Sequence, residues 1–287
     1  MSNPIVSIVV PCYNHGKYLP ETLDSVMAQS FKDWECVIVD DGSTDDTEAV
    51  ALDYCKKDTR FKYIYQENQG APVACNTGFR STSGEFILRL DADDLIASSY
   101  VEKAVAHFMD FPETSIVCCR GRYFGSYNNP IILPEYSYET LLFNNCFFCS
   151  IFFRRSDYDK TDGYNPNMRN GLNDWDFWIT LLSPDSIVYC IDEVLFYYRT
   201  GGNSIITKNR NAKKQTEELC RQLYFNHKDK YQDYVPNIVY YAMSANNWRD
   251  KYEKERLDYD HCRQSRAYKV GKMIVKPFTS IKKLFKR

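Results

Sequence analysis

Several signals are missing from this chain, and each absence excludes a class of protein. No run of apolar residues approaches the ~18 that a transmembrane helix requires. The N-terminus has no charged stretch followed by a long apolar core, so we expect no secretory signal peptide. A G-x-G-x-x-G motif is also absent, which argues against a dinucleotide-binding enzyme.

Histidine and cysteine give little sign of a zinc site or a disulfide framework. The chain has only 4 His, and none is spaced to a cysteine pair as structural zinc sites require. It has 11 Cys, an odd number without repeated C-x-x-C pairs. We therefore expect reduced, mostly buried thiols, as in a cytoplasmic protein.

The composition is typical of a globular protein, except that the C-terminal segment has basic but no acidic residues. The 287 residues are 44% hydrophobic and 26% charged, and the formal net charge is −2. From His261 onward there are basic residues but no Asp or Glu, so the remainder of the chain is acidic. An acidic body argues against nucleic acid as a partner.

The first 110 residues alternate between short apolar runs and segments of helical periodicity. This alternation predicts an α/β fold with a mostly parallel sheet covered by helices. Further strands are expected in the second half, at 115–119, 147–154, 188–191 and 194–198, followed by a helical C-terminal extension. The runs that favour strands are 6–10, 36–39, 61–65 and 86–90, and the helical segments are 18–29, 47–55, 72–79 and 99–108.

Acidic residues follow two of the predicted strands. Asp91 and Asp93 come directly after one apolar run, and Asp40 and Asp41 end another. Alternate residues of an extended chain point to one side, so Asp91 and Asp93 can face a common point at the ligand-binding edge of the sheet. Paired carboxylates suit Mg²⁺ or Mn²⁺ held partly by a phosphorylated substrate. Taken alone, residues 40–46 could instead form an ordinary turn and helix cap.

Together these segments resemble the family 2 glycosyltransferases of the GT-A fold. The resemblance covers roughly residues 4–205 and lies in the order and spacing of several short motifs. They are Val6-Ser7-Ile8-Val9-Val10-Pro11-Cys12-Tyr13-Asn14, Tyr18-Leu19, Ser25-Val26-Met27-Ala28-Gln29, Val39-Asp40-Asp41-Gly42-Ser43-Thr44-Asp45, Asn76-Thr77-Gly78, Gly84-Glu85-Phe86 and Asp91-Ala92-Asp93-Asp94.

The resemblance implies a nucleotide-diphosphate sugar donor and a divalent metal, Mn²⁺ or Mg²⁺. Asp41 would accept a hydrogen bond from the uracil N3–H, and Asp91 would lie close to the ribose and sugar. Asp93 would hold the metal. The nucleotide-sugar contacts implied in this way are at Pro11, Tyr13, Asp41, Asp91 and Arg199.

An inverting transfer also needs a general base for the acceptor hydroxyl. The resemblance places that base at Asp174, at the start of a helix after a glycine turn. A helix-capping role for Asp174 is the alternative, and Asp176 is a rival base that would face elsewhere on the helix. Trp175 and Trp178 share one face, where they would form either an acceptor-side wall or part of the core.

Three positions depart from the family pattern. Cys75 precedes Asn76 where many members have Arg, and Asn173 replaces the Glu before the base. Gly201 stands where many members have a His near the diphosphate. Arg199, backbone N–H groups or the metal would then have to contact the diphosphate.

The resemblance implies hexosyl or N-acetylhexosaminyl transfer from a UDP-sugar to a glycan or lipid-linked glycan. We expect a glycosyltransferase domain at 1–205, with a nucleotide-binding half at about 4–110 and an acceptor half at about 111–205. The helical extension at 206–287 would end in a basic amphipathic tail, 267–287, that binds the inner face of the membrane. The alternatives are a non-catalytic nucleotide-sugar-binding module and a sugar nucleotidyltransferase.

Overall fold

An eight-stranded sheet forms the centre of the computed structural model, which describes residues 3–201 and 212–234. Four strands of the first half pair in parallel in the order β3-β2-β1-β4. Every residue of β1, β2 and β4 is buried, as expected for parallel strands covered on both faces. These strands are β1 Val6–Cys12, β2 Trp34–Asp41, β3 Phe61–Gln66 and β4 Phe86–Arg89.

The helices that follow these strands agree with the periodicity of the sequence. They are α1 Leu19–Met27, α2 Thr47–Lys57, α3 Ala71–Arg80 and α4 Tyr100–Asp110. Helix α3 packs closely on β1, because a Cβ on Gly78 would lie 2.2 Å from Cγ1 of Val9. A residue without a side chain is therefore required there.

The second half extends the sheet with strands of mixed direction, in the order β4-β7-β6-β8-β5. Strands β7 and β5 run antiparallel to their neighbours, whereas β6 and β8 pair in parallel. The two strands expected at 188–191 and 194–198 are one long strand, with a register shift where Asp192 and Glu193 bulge out. The bounds are β5 Leu95–Ile96, β6 Thr114–Gly125, β7 Phe152–Arg154 and β8 Ile187–Thr200.

Two hydrophobic clusters pack on opposite faces of the sheet. Ile8 and Val10 of β1 belong to one cluster, and Val9 between them belongs to the other, as the alternation of a strand requires. The second cluster is covered by the helices of the second half. These are α5 Tyr138–Phe143, α6 Arg155–Tyr158, a 3₁₀ turn Pro166–Met168, α7 Asn173–Leu181, α8 Ala212–Asn226 and α9 Lys228–Tyr234.

Helix α8 belongs to the same compact unit as the sheet, which extends to Tyr231. Leu223 is buried in the second cluster, and Asn226 and His227 both contact the carboxylate of Asp176 on α7. The sequence assigned this helix to an extension beginning at 206. The basic tail at 267–287 lies outside the described residues.

The burial of the cysteines agrees with the expectation from composition. The cysteines of the described segments are all free, and most are buried. Among the helices described, none has the length and apolar character needed to cross a bilayer.

Candidate active site

The carboxyl end of β2 carries two buried acids with different tasks. Asp40 accepts hydrogen bonds from the Ser43 N–H at 2.8 Å and from the Tyr63 hydroxyl at 2.9 Å, so it builds the turn. Asp41 accepts from Gln66 Nε2 at 2.7 Å and from the N–H groups of Gln69 and Gly70 at 2.9 and 2.7 Å. A carboxylate has about four lone-pair sites, so Asp41 keeps roughly one for a ligand donor.

The turn after β1 is tied to the turn after β2. Asn14 accepts through Oδ1 from the Thr44 N–H at 2.7 Å, and its own N–H donates to Ser43 Oγ at 2.9 Å. Pro11 lies within the buried strand, whereas Tyr13 is half exposed at the edge of the sheet. The turns after β1 and β2 therefore form one continuous surface at the edge of the sheet, which includes Tyr13, Asn14, Ser43 and Thr44 and is called the rim below.

Arg89, at the end of β4, connects two parts of the site. Its Nε donates to Oδ1 of Asp91 at 2.8 Å, and its Nη1 donates to Oδ1 of Asn173 at 2.7 Å. The side chain is only 6% exposed. A buried guanidinium thus fixes the acids after β4 against the first residue of α7, because it donates to both at once.

Asp93 and Asp94 follow in the same turn and are held from β8. Arg199 donates from Nε to the Asp93 carbonyl at 2.8 Å, and its backbone N–H donates to Oδ1 of Asp94 at 2.9 Å. Burial and the charge of Asp91 raise the pKa of Asp93. Burial and the neighbouring Asp93 and Asp91 charges likewise raise the pKa of Asp94.

Three side chains converge in a group that could hold a cation. Asp91, Asp94 and Cys149 each offer a ligand atom within 4.8 Å of the others. Oδ2 of Asp94 is buried and has no hydrogen-bond partner among the residues described. The crowded carboxylates and the orphaned oxygen fit a divalent cation. Asp93, the metal-holding acid implied by the resemblance, stands beside this group but does not belong to it.

Asp174 lies in the first turn of α7, facing the acids after β4. Its Oδ1 accepts from the Trp175 N–H at 2.8 Å, and its Oδ2 accepts from Asn145 Nδ2 at 3.1 Å. Burial raises the pKa of Asp174, and Arg89 opposes that rise. A carboxylate with a raised pKa is a stronger base than an exposed one.

The neighbours of Asp174 on α7 face the interior. Asp176 is buried and lies 3.0 Å from Nε2 of His227, so it joins α7 to the chain after α8. Trp178 is fully buried in the second cluster, and the Trp175 indole N–H donates to the Leu141 carbonyl at 2.6 Å. Core packing is therefore the role of Trp178.

The departures from the family pattern have physical consequences. Asn173 accepts a hydrogen bond from Arg89, and Cys75 is fully buried. Arg199 is already engaged, because Nη2 also contacts Glu21 at 3.0 Å. A diphosphate would have to displace the contact with Glu21, which is more than half exposed, in order to use this guanidinium.

Sequence reasoning missed three residues of the site. Arg89 could have been noticed, since a charged residue in a run that favours a buried strand requires a partner. Asn145 and Cys149 gave no such signal, because they lie in a loop region whose contacts with α7 and Asp91 are established only by the fold.

Known proteins share both the sequence and the architecture of this chain. The glycosyl transferase family 2 model matches residues 7–168. The putative teichuronic acid biosynthesis glycosyltransferase TuaG of Bacillus subtilis is 32% identical over 229 residues, covering 77% of this chain and 88% of TuaG.

Two solved structures have a similar fold. Residues 1–349 of S. aureus TarS, in complex with UDP-GlcNAc, superpose with a TM-score of 0.65 at 21% identity, covering 77% of this chain and 66% of the 1–349 chain. The mannosyltransferase PcManGT of Pyrobaculum calidifontis, in complex with GDP-Man and Mn²⁺, gives a TM-score of 0.60 at 18% identity, covering 95% and 84%. At this identity the likeness concerns the fold.

Proposed function

Because the chain belongs to glycosyl transferase family 2 and is a glycosyltransferase with a GT-A-like α/β fold, we propose that it transfers a sugar with inversion. The donor is a nucleotide-diphosphate sugar, most simply a UDP-sugar, and the acceptor is a glycan or lipid-linked glycan. The observation that carries the proposal is the buried Arg89, which joins Asp91 to the start of the helix that bears Asp174.

Donor binding uses the rim formed after β1 and β2. Asp41 has one acceptor site left for the uracil N3–H, and Pro11 and Tyr13 border the base. Two known relatives of the fold support a nucleotide sugar, since TarS was solved with UDP-GlcNAc and PcManGT with GDP-Man. The proposal that this nucleotide is a uridine diphosphate rests on the acceptor site of Asp41.

Asp93 would hold Mn²⁺ or Mg²⁺ together with the acids around it. Such a cation supplies Lewis-acid stabilisation of the charge that develops on the leaving diphosphate. PcManGT was solved with Mn²⁺, which supports this choice. The residues of this chain fit the cation because at least one buried carboxylate oxygen, Oδ2 of Asp94, has no partner among those described.

Asp174 acts as the general base. The acceptor hydroxyl donates its proton to an oxygen of Asp174 as it attacks the anomeric carbon from the face opposite the diphosphate. Asn145 and the Trp175 N–H orient the carboxylate. The positive charge of Arg89 offsets the repulsion between the carboxylates of Asp174 and Asp91, and it opposes the rise that burial causes in the pKa of Asp174.

We also propose that the protein is cytoplasmic and that residues 267–287 bind it to the inner face of the membrane. It also includes a role in polysaccharide biosynthesis, which the similarity to TuaG supports.

A donor screen tests the proposal. Thermal shift is measured with UDP-, GDP-, dTDP- and CMP-sugars, each with Mn²⁺ and with EDTA. We expect a UDP-sugar with Mn²⁺ to give the largest rise in melting temperature, because binding to the native state adds stability. No shift with any nucleotide sugar would contradict the proposal. The donor that responds is then incubated with candidate glycans, and formation of product separates an enzyme from a binding module.

A further inference from the structure

We propose that Cys149 is a sulfur ligand of the divalent cation, completing a site with Asp91 and Asp94. This inference deepens the metal role proposed above and rests on it. Its consequence is selectivity: thiolate sulfur favours Zn²⁺, Co²⁺ and Cd²⁺, whereas a site made only of oxygen suits Mg²⁺ and Mn²⁺.

The spacing of the ligand atoms supports coordination of one ion. Sγ of Cys149 donates to Oδ2 of Asp91 at 3.3 Å. A tetrahedral Zn²⁺ with a sulfur at about 2.3 Å and an oxygen at about 2.0 Å would separate these two atoms by about 3.5 Å. The two side chains therefore already have nearly the separation that shared ligation requires.

The third side chain supplies an independent observation. Asp94 is only 1% exposed, and its Oδ1 accepts the Arg199 N–H. Its Oδ2 is buried without a partner within the described segments. A buried carboxylate oxygen left without a donor is costly, and a cation between Asp94, Asp91 and Cys149 would remove that cost.

The balance of charged groups around the site favours binding of a divalent cation. The carboxylates of Asp91, Asp93 and Asp94 interact with one another, while Arg89 offsets Asp91 and Arg199 offsets Asp93 and Asp94. Arg199 also contacts Glu21, so its charge is shared. Arg89 occupies only Oδ1 of Asp91, and Oδ2 faces the thiol. The acids therefore outnumber the guanidinium groups that face them.

Binding of the ion requires the thiol to lose its proton. Cys149 is 7% exposed, and its proton is released to the solvent as the hydrogen bond to Asp91 is replaced by a bond from the sulfur to the metal. Released protons accompany metal binding by thiols in general. No oxidant or reductant takes part, because the sulfur and the metal keep their oxidation states.

Cobalt spectroscopy of the full chain tests the assignment. Wild-type protein is titrated with Co²⁺ in the absence of donor, and the sulfur-to-cobalt charge-transfer band in the near ultraviolet is recorded. We expect one band that saturates at a single equivalent, disappears in Cys149→Ser and is weakened in Asp94→Asn. The exposed Cys190→Ser variant is the matched control and should retain the band.

Affinity measurements give a second readout that does not depend on the spectrum. Calorimetry with Cd²⁺ should show a loss of affinity of about tenfold or more in Cys149→Ser, whereas Mn²⁺ affinity should change little. Circular dichroism of each variant verifies folding. A variant that does not fold is replaced by Cys149→Ala.

The outcomes separate the two proposals. Cobalt binding without a sulfur band, or a band that survives in Cys149→Ser, overturns ligation by the thiol and leaves the metal role intact. Absence of binding by Co²⁺, Cd²⁺ and Mn²⁺, with and without UDP, overturns the metal role itself. Loss of the band in Cys190→Ser instead assigns the sulfur to another site and also overturns the inference.

Discussion

Arg89 donates from Nε to Oδ1 of Asp91 at 2.8 Å while the guanidinium is almost wholly buried. The same guanidinium binds Asn173 through Nη1, so the acids after β4 and the helix of Asp174 share one anchor. The last position of a buried strand thereby fixes two parts of the site relative to each other.

Replacement of Arg89 should lower the free energy of unfolding. Arg89→Met leaves Asp91 without its cation, and because Asp91 is partly exposed we expect a loss below the ~3–5 kcal/mol that breaking a fully buried pair costs. Arg89→Lys keeps the charge but cannot reach both partners, so we expect an intermediate loss. Urea unfolding measures both. Arg120→Met, which breaks an exposed pair with Asp192, is the control and should leave the midpoint unchanged. Equal midpoints for the two Met variants would contradict the anchoring role.

Asp174→Asn should separate chemistry from binding. Removal of a general base typically lowers the rate by about 10²–10⁴-fold, whereas UDP affinity should persist because the proposed nucleotide contacts, at Asp41, Pro11 and Tyr13, do not include Asp174. Transfer assays and calorimetry measure the two effects, with Asp192→Asn as the exposed control. Transfer at the wild-type rate would exclude Asp174 as the base.

The pH dependence of transfer should also show the role of Asp174. Burial raises the pKa of Asp174, and only its deprotonated form accepts a proton. Activity should therefore fall as the pH decreases through that raised pKa, at a higher pH than an exposed aspartate would give. A profile of the turnover number against pH reveals this acid limb. The limb should be missing from the residual activity of Asp174→Asn.

Asp93→Ala tests the metal role of the acids after β4. In Mn²⁺ the variant should bind UDP more weakly than wild type, whereas in EDTA the two should bind alike, because the lost interaction passes through the cation. Calorimetry in both buffers gives the comparison. Asp53→Ala removes a carboxylate that pairs with Lys57 on the surface and serves as the matched control. Equal affinities in Mn²⁺ would count against Asp93 as a ligand.

Gly78→Ala should destabilise the protein although alanine favours helices. The helix would gain about 1 kcal/mol from propensity, but the new methyl group would overlap Val9, and overpacking a core costs about 1–3 kcal/mol. Urea unfolding should therefore show a net loss. Combining Gly78→Ala with Val9→Ala should recover part of it, so the double variant should be more stable than the sum of the single effects implies.

The tail prediction concerns residues outside the described part of the chain. Its basic and apolar residues should bind anionic vesicles, since each Lys or Arg near such a surface contributes ~1 kcal/mol. The full chain should sediment with phosphatidylglycerol vesicles at low salt and be released at high salt. Deletion of 267–287 should abolish sedimentation and leave UDP affinity unchanged. Equal sedimentation of the shortened chain would disprove the anchor.

The sequence was most informative where local rules suffice. Apolar runs and helical periodicity predicted the parallel strands β1 to β4 and the helices between them, and the acids at their ends followed directly. The contacts of Arg89 with Asn173, and of Cys149 with Asp91, join residues 84 and 58 positions apart. Such pairings depend on the second half of the sheet, whose mixed strand directions no local pattern specifies.

Two elements that local patterns favour differ in the structure. Ser99 and Glu102 have the spacing of a capping box, yet Ser99 makes no side-chain cap, and Glu102 instead accepts a hydrogen bond from Ser30 at 2.7 Å. The strand expected at 147–154 is limited to Phe152–Arg154. For the capping box, the tertiary contact with Ser30 takes the carboxylate that the local pattern assigns to the start of the helix.

Helix α7 is held at both ends by distant parts of the chain. Arg89 binds its first residue, and Lys230 donates to the carbonyl groups of Ile179, Thr180 and Leu182 at its last turn. The family match ends at 168, before this helix begins. A chimaera that exchanges only the matched segment with a relative would therefore combine Arg89 from one parent with the helix that bears Asp174 from the other. A chimaera that preserves catalysis should therefore exchange one continuous segment that extends through Tyr231.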